Sequence, residues 1–252
     1  MKIIKDVFYT KENDLRRSLD IYLPDCEEFP VFIYFHGGGL VGGSKDMGET
    51  IPKEITDKGI CFVSAEYRMY PDASYPDFIK DAAAASAWVY NNISKYGKPT
   101  NFYIGGSSAG GYLSMMLCYD DKYLGLHNLK PLDFKGYILD AGQPTAHFNV
   151  LKERGIDSRR VIIDESALLY HICEKEYPYM LIIVSDNDMQ NRLEQTMLLA
   201  STLKHFNVPD YKYELMIMKN STHCSYRNRT DENRKNVFAS VTSEFIKKTE
   251  NK

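Results

Sequence analysis

The chain has 252 residues, 44% hydrophobic and 26% charged, with a formal net charge of −3. That length and composition suit one large α/β domain over residues 1–252 better than two small ones. No basic stripe marks a nucleic-acid partner, and no apolar run nears the roughly 18 residues of a membrane span, so neither partner is expected.

Residues 3–9 and 18–23 read as strands flanking a polar turn at 10–14, with Leu19, Ile21 and Leu23 alternating as a half-exposed strand does. Residues 31–35 form a buried-type strand that runs into His36-Gly37-Gly38-Gly39. A helix is expected at about 48–58 and a strand at 60–65. The alanine-rich stretch 78–93 is a good helix, and a short apolar strand follows at 101–104, then a helix from 112. A strand at 134–139 ends at Asp140. Residues 145–176 fit neither strand nor linker and read as a small cap-like insertion over the C-terminal edge of the sheet, with a helical piece near 164–174. A strand at 180–184, a helix at about 190–206, a strand at 211–218 and a helix at about 232–248 close the chain. Such alternation implies a mostly parallel twisted sheet covered by helices on both faces, with ligands at the C-terminal ends of its strands.

Two glycine motifs stand at such ends. Gly106-Ser107-Ser108-Ala109-Gly110 matches G-x-S-x-G between a strand and a helix. A serine on so sharp a turn needs neighbours without side chains two residues to either side. Centring the pattern on Ser107 would put Ala109 at the last glycine position, so Ser108 is the candidate nucleophile. His36-Gly37-Gly38-Gly39, upstream, is a source of backbone N–H donors for an oxyanion. A serine hydroxyl then needs a base, and the base an orienting acid. Of six histidines, His223 lies in the loop between the last strand and the last helix and is the expected base. The loop after strand 180–184 offers Asp186 and Asp188; Asp188, further into the loop, is the expected acid, with Asp186 and Asp140 as alternatives. The order Ser108, Asp188, His223 is that of the α/β-hydrolases.

Here the chain resembles the esterase/lipase group of α/β-hydrolases related to hormone-sensitive lipase. Tyr67-Arg68-Met69-Tyr70-Pro71-Asp72, followed by Tyr75-Pro76, is similar to that group's Y-R-L-A-P-E segment. Asp81-Ala82-Ala83-Ala84-Ala85-Ser86-Ala87-Trp88 is similar to its D-x-x-A-A-x-x-W helix. The resemblance runs from about residue 20 to the C-terminus and implies the α/β-hydrolase fold. It implies oxyanion donors at Gly37, Gly38 and Ala109, with Gly39 and Ser107 at the substrate. Ser107 stands where several relatives carry an acidic residue, and the strand at 31 leaves no room before it for a sizeable N-terminal cap. Both features lean towards small, lightly capped enzymes resembling acetyl xylan, feruloyl or other carbohydrate-ester hydrolases.

The expected activity is cleavage of small, short-acyl carboxylic esters through a Ser-His-Asp triad and an acyl-enzyme, with neither metal nor organic cofactor. The alternatives are a peptidase or an arylformamidase using the same triad, and a non-catalytic binding module on the hydrolase fold. Plainer roles go to several neighbours. His36 braces the glycine turn, Tyr67 and Arg68 form a buried structural pair, and Asp81 serves the dipole of its helix. Gly42-Gly43-Ser44-Lys45 shapes the pocket wall, and Cys224 is adjacent to the base rather than a nucleophile. The five cysteines, odd in number and without C-x-x-C spacing, suggest neither a disulfide framework nor a zinc site. Residues 1–6 show no secretory h-region, so a cytoplasmic location is expected. Composition leaves monomer and homo-oligomer equally open.

Overall fold

The chain opens with an antiparallel ribbon, β1 (Lys2–Phe8) against β2 (Ser18–Leu23), Lys2 opposite Leu23. Strands and helices then alternate: β3 (Glu28–Phe35), α1 (Thr50–Thr56), β4 (Cys61–Ala65), α2 (Asp77–Asn92), β5 (Lys98–Ser107), α3 (Ala109–Tyr119) and α4 (Asp121–Gly125). After them come β6 (Gly136–Asp140), α5 (Phe148–Glu153), β7 (Tyr179–Asn187), α6 (Arg192–His205), β8 (Tyr213–Thr222) and α7 (Val237–Glu250). This is a computed structural model, and it describes residues 1–250 and 252. The strands form one sheet in the order β1-β2-β4-β3-β5-β6-β7-β8, with β2 antiparallel to β4 and every pair from β4 to β8 parallel.

Alternation along β3 shows why both faces are covered. Successive side chains of a strand point to opposite faces. Val31, Ile33 and Phe35 join a core with Ala82 and Ala83 of α2, Leu113 and Leu117 of α3, and Leu199 of α6. Phe32 and Tyr34 join a second core with Ile51 and Ile55 of α1 and Phe238, Phe245 and Ile246 of α7. All five β3 side chains are fully buried, and each contributes about 1.5–3 kcal/mol by leaving water. The whole of α3 is buried, as a helix that starts at the centre of the sheet must be.

Because β3 to β8 run parallel, their C-terminal ends lie along one edge. That edge receives the His36–Gly39 turn after β3, Ser108 after β5, Asp188 after β7 and His223 after β8. The insertion at 145–176 departs from its expected shape. Its α-helix is α5, at Phe148–Glu153, and the stretch near 164–174 holds a single 3₁₀ turn, Leu168–His171. Two local devices explain this. The His147 ring nitrogen accepts from the Asn149 N–H and starts α5. Asp164 takes the N–H and hydroxyl of Ser166, forming a turn instead of a helix, after which Leu168 and Leu169 drop into the core. Asp81 is also placed differently. It is the fifth residue of α2 and holds the Arg68 guanidinium through two bonds of 2.8 Å, so its work is an ion pair, not the helix dipole.

Candidate active site

Ser108 sits between β5 and α3 with φ 55° and ψ −111°, a conformation a non-glycine residue adopts only under constraint. Its N–H donates to Asp140 O at 2.8 Å, and its carbonyl accepts from the Tyr112 N–H at 2.9 Å. The flanking glycines make the turn feasible. A Cβ on Gly110 would stand 1.9 Å from Phe35 O, and one on Gly106 would stand 2.5 Å from Gly110 and 2.6 Å from Phe35 O.

A continuous hydrogen-bonded line crosses three strand ends. Ser108 Oγ is 2.7 Å from His223 Nε2, and His223 Nδ1 is 2.5 Å from Asp188 Oδ1. With the Nδ1 proton directed at the carboxylate, Nε2 is left as the acceptor for the hydroxyl. The Asp188 side chain is fully buried, while His223 remains partly open. Burial alone would raise the Asp188 carboxyl. The hydrogen bond and charge of His223, with the amides of Met189 and Ser185, outweigh burial and hold it below the usual carboxylate range. The His223 loop is fixed by Ser185 Oγ, which donates to Thr222 O at 2.8 Å, and by Ser225 Oγ, which accepts from the Thr222 N–H.

The glycine turn lies against the serine. A Cβ on Gly37 would meet Ser108 Cβ at 3.3 Å, and Gly38 (φ 124°) has no room for one, since Gly42 O would stand at 1.9 Å. Among the described residues, the N–H groups of Gly37 and Gly38 make no hydrogen bond within the protein. The Ala109 N–H, at the first position of α3, has no intrahelical acceptor. His36 braces the turn. Its Nδ1–H donates to Gly37 O at 2.7 Å, its Nε2 faces Glu66 at 3.3 Å, and its ring stacks on Tyr67, whose hydroxyl donates to His36 O. A cavity of about 640 Å³ opens over Ser108 and His223. Its walls include Gly37, Gly38 and Gly39, Gly43 and Ser44, Met47, Phe148, Met189 and Arg227.

Gly39 lies on that wall, and its carbonyl accepts from Asn149 Nδ2 at 2.5 Å. Ser107 does not reach the cavity. Its side chain is fully buried, donates to Asp140 and accepts from Tyr34 at 3.0 Å, because alternation along the strand turns position 107 into the sheet while the elbow lifts position 108 out. Asp186 is occupied elsewhere, accepting the N–H groups of Asn220 and Ser221 at 3.0 and 3.1 Å. Asp140 serves neither as the partner of His223 nor as a surface carboxylate. Fully buried, it accepts from both Ser107 Oγ and Tyr226 Oη, which ties the residue before the serine to the loop after the histidine. Burial raises its carboxyl, against the two hydroxyl donors and the Arg227 charge. Cys224 is raised by burial, with the Asp140 charge adding to it, which leaves a thiol rather than a nucleophilic thiolate. Sequence reasoning missed Phe148, Met189 and Tyr226; no motif marks them, and only the folding back of the insertion and of the last loop brings them to the site.

The elbow, the sheet order and the placement of the three strand-end side chains define the α/β-hydrolase fold. The BD-FAE family model matches residues 19–132. A probable isoprenylcysteine alpha-carbonyl methylesterase of Arabidopsis thaliana is 31% identical over 42% of this chain and 26% of its own length. Esterase LipI of Mycobacterium tuberculosis is 35% identical over 40% of this chain and 32% of its own. The chain thus spans about a quarter to a third of the length of these curated relatives. Among solved structures, a truncated carbohydrate esterase from gut microbiota superposes with a TM-score of 0.80 at 18% identity, covering 100% of this chain and 97% of that one, a likeness of fold. The chain is thus similar in sequence to esterases of this kind over part of its length, and it shares the α/β-hydrolase fold over its whole length.

Proposed function

We propose that the protein is a serine esterase that hydrolyses small carboxylic esters through an acyl-enzyme. The observation that carries the reading is the unbroken line from Asp188 through His223 to Ser108 at 2.5 and 2.7 Å. In this mechanism Ser108 Oγ attacks the ester carbonyl while His223 Nε2 takes its proton, and Asp188 holds the imidazole in the required tautomer. The negative oxygen of the tetrahedral intermediate is met by the N–H groups of Gly37, Gly38 and Ala109, which have no partner to give up among the described residues. His223 then protonates the departing alcohol. Water, deprotonated by the same ring, attacks the acyl-enzyme and releases the acid. The whole chain is read as one catalytic domain, with residues 145–176 walling the pocket through Phe148. The names of the sequence relatives, a methylesterase and an esterase, agree with ester cleavage. The open cavity and short insertion favour a short acyl group, with acetyl or feruloyl carbohydrate esters as candidate substrates.

The test is a panel of simple acyl, acetyl-xylo-oligosaccharide and feruloyl esters, assayed beside a formanilide and an aminoacyl amide, with Ser108→Ala as the blank. We expect turnover of esters that the variant reduces to the blank. Amide or formanilide turnover exceeding that of every ester would overturn the reading.

A further inference from the structure

Beside the cavity over Ser108 lies a second one, of about 370 Å³, and Phe148 and Met189 line both. Its floor is built from buried polar side chains. Arg192, 4% exposed, donates from Nη1 to Ala141 O at 2.5 Å and from Nη2 towards Gln143 Oε1 at 3.4 Å. Gln143 is held in turn by Thr145 and Ala146, and Gln195 Oε1 accepts from Thr145 Oγ1. This leaves Arg192 Nε and Gln195 Nε2 without a partner among the described residues. Among the described residues no carboxylate lies within ion-pair distance of Arg192; Asp188 acts on it only as a more distant charge. At the rim, Arg160 is exposed and its guanidinium makes no hydrogen bond or ion pair among the described residues, its charge reaching Asp157 only at a distance, whereas Arg159 beside it is taken up by Asp157. The lining therefore offers hydrogen-bond donors and positive charge, and among the described residues no acidic side chain lines it.

We propose that this second cavity binds a carboxylate carried by the ester substrate, held between Arg160 and the Arg192–Gln195 floor while the ester bond sits over Ser108. A buried guanidinium without an acidic partner is costly, and an incoming carboxylate completes it. The inference deepens the esterase reading and rests on it.

Two matched pairs place the charge on either side of the ester: monomethyl glutarate with methyl valerate, and 4-acetoxybutyrate with butyl acetate. Turnover is followed by proton release for the wild type, Arg160→Glu and Lys58→Glu; the last reverses an exposed charge ahead of β4, at the opposite edge of the sheet. We expect kcat/KM for the charged member of at least one pair to exceed its neutral partner by about tenfold, equivalent to roughly 1.4 kcal/mol. The ratio should fall to about one or below in Arg160→Glu and persist in Lys58→Glu. Equal or better use of the neutral ester in both pairs would overturn the inference, as would a ratio that Arg160→Glu leaves unchanged or Lys58→Glu abolishes equally. Titration of monomethyl glutarate and 4-acetoxybutyrate into Ser108→Ala, with and without Arg160→Glu, reads the site without turnover. Binding that Arg160→Glu weakens supports the site even if the ester reading fails, and no binding of either compound, or binding that Arg160→Glu leaves alone, counts against it.

Discussion

The hydroxyl of Ser108 has one ring nitrogen within hydrogen-bond reach, and that ring has one carboxylate behind it. Substituting Asp188→Asn keeps the size but offers Nδ1 a donor as well as an acceptor, which permits the wrong tautomer. We expect kcat to fall by about 10⁴-fold with the fold retained, measured by ester turnover beside circular dichroism. Tyr226 carries a different load. Its hydroxyl completes the buried Asp140 carboxylate that also holds Ser107. Tyr226→Phe leaves that carboxylate one donor short, and we expect a loss of about 1.5–3 kcal/mol in urea unfolding, since bonds to charged groups fall in that range. At this scale the sequence was largely legible. Ser108, Asp188 and His223 are close in space as their motif order implies, because strand-loop-helix grammar places such residues on one edge. Ser107 was not legible: whether a side chain beside the elbow faces the pocket or the sheet depends on strand phase, and here the strand turns it onto Asp140.

The elbow concentrates the steric demand among the elements. Gly110→Ala would drive a methyl into the Phe35 carbonyl, where backbone rather than a flexible side chain must yield. A destabilisation of about 3 kcal/mol or more is expected, read as a lowered urea midpoint or loss of folded protein. The start of α5 is sensitive to pH instead. Burial holds the His147 ring down to about 3, with the charges of Arg192 and Lys152 adding to the effect. The folded pKa lies below the ordinary value of 6.5, so the stabilisation is complete above about pH 6.5 and is lost as pH falls towards 3, at up to about 1.4 kcal/mol per pH unit. His147→Asn keeps a capping acceptor without a titrating ring. Its unfolding free energy should decline less steeply than the wild type between pH 6.5 and 4, and parallel slopes would contradict the assignment. This helix, like the five-residue α4, was hidden in the sequence. Residues 148–153 make less than two turns, too short for a periodic signal, whereas the sixteen residues of α2 announced themselves by alanine content and a buried face.

Over the whole molecule, two cores lie on either side of one sheet, and the residues proposed for catalysis gather where four strand ends open towards two adjoining cavities. The larger cavity is lined by the glycine turn together with Phe148 and Met189, and of these only Phe148 comes from the short insertion. A long acyl chain would find little apolar surface to bury. In a p-nitrophenyl series kcat/KM is expected to peak between acetate and butyrate and to decline by octanoate; a maximum at octanoate or beyond would show that the cavity extends further than its walls suggest. The arrangement of the strands could be anticipated from alternating strand and helix patterns, but the second cavity could not. It arises where the 145–176 insertion meets the start of α6, and contacts between segments so far apart along the chain leave no local pattern.

The most direct measurement is peptide mapping after exposure to a fluorophosphonate, which traps an activated serine as a stable adduct. A single phosphonylated site at Ser108, absent from Ser108→Ala and much slowed in His223→Ala, is the expected result. Full-length folded protein that stays unmodified, or carries the label on another residue, would contradict the proposal that Asp188 and His223 make this hydroxyl a nucleophile.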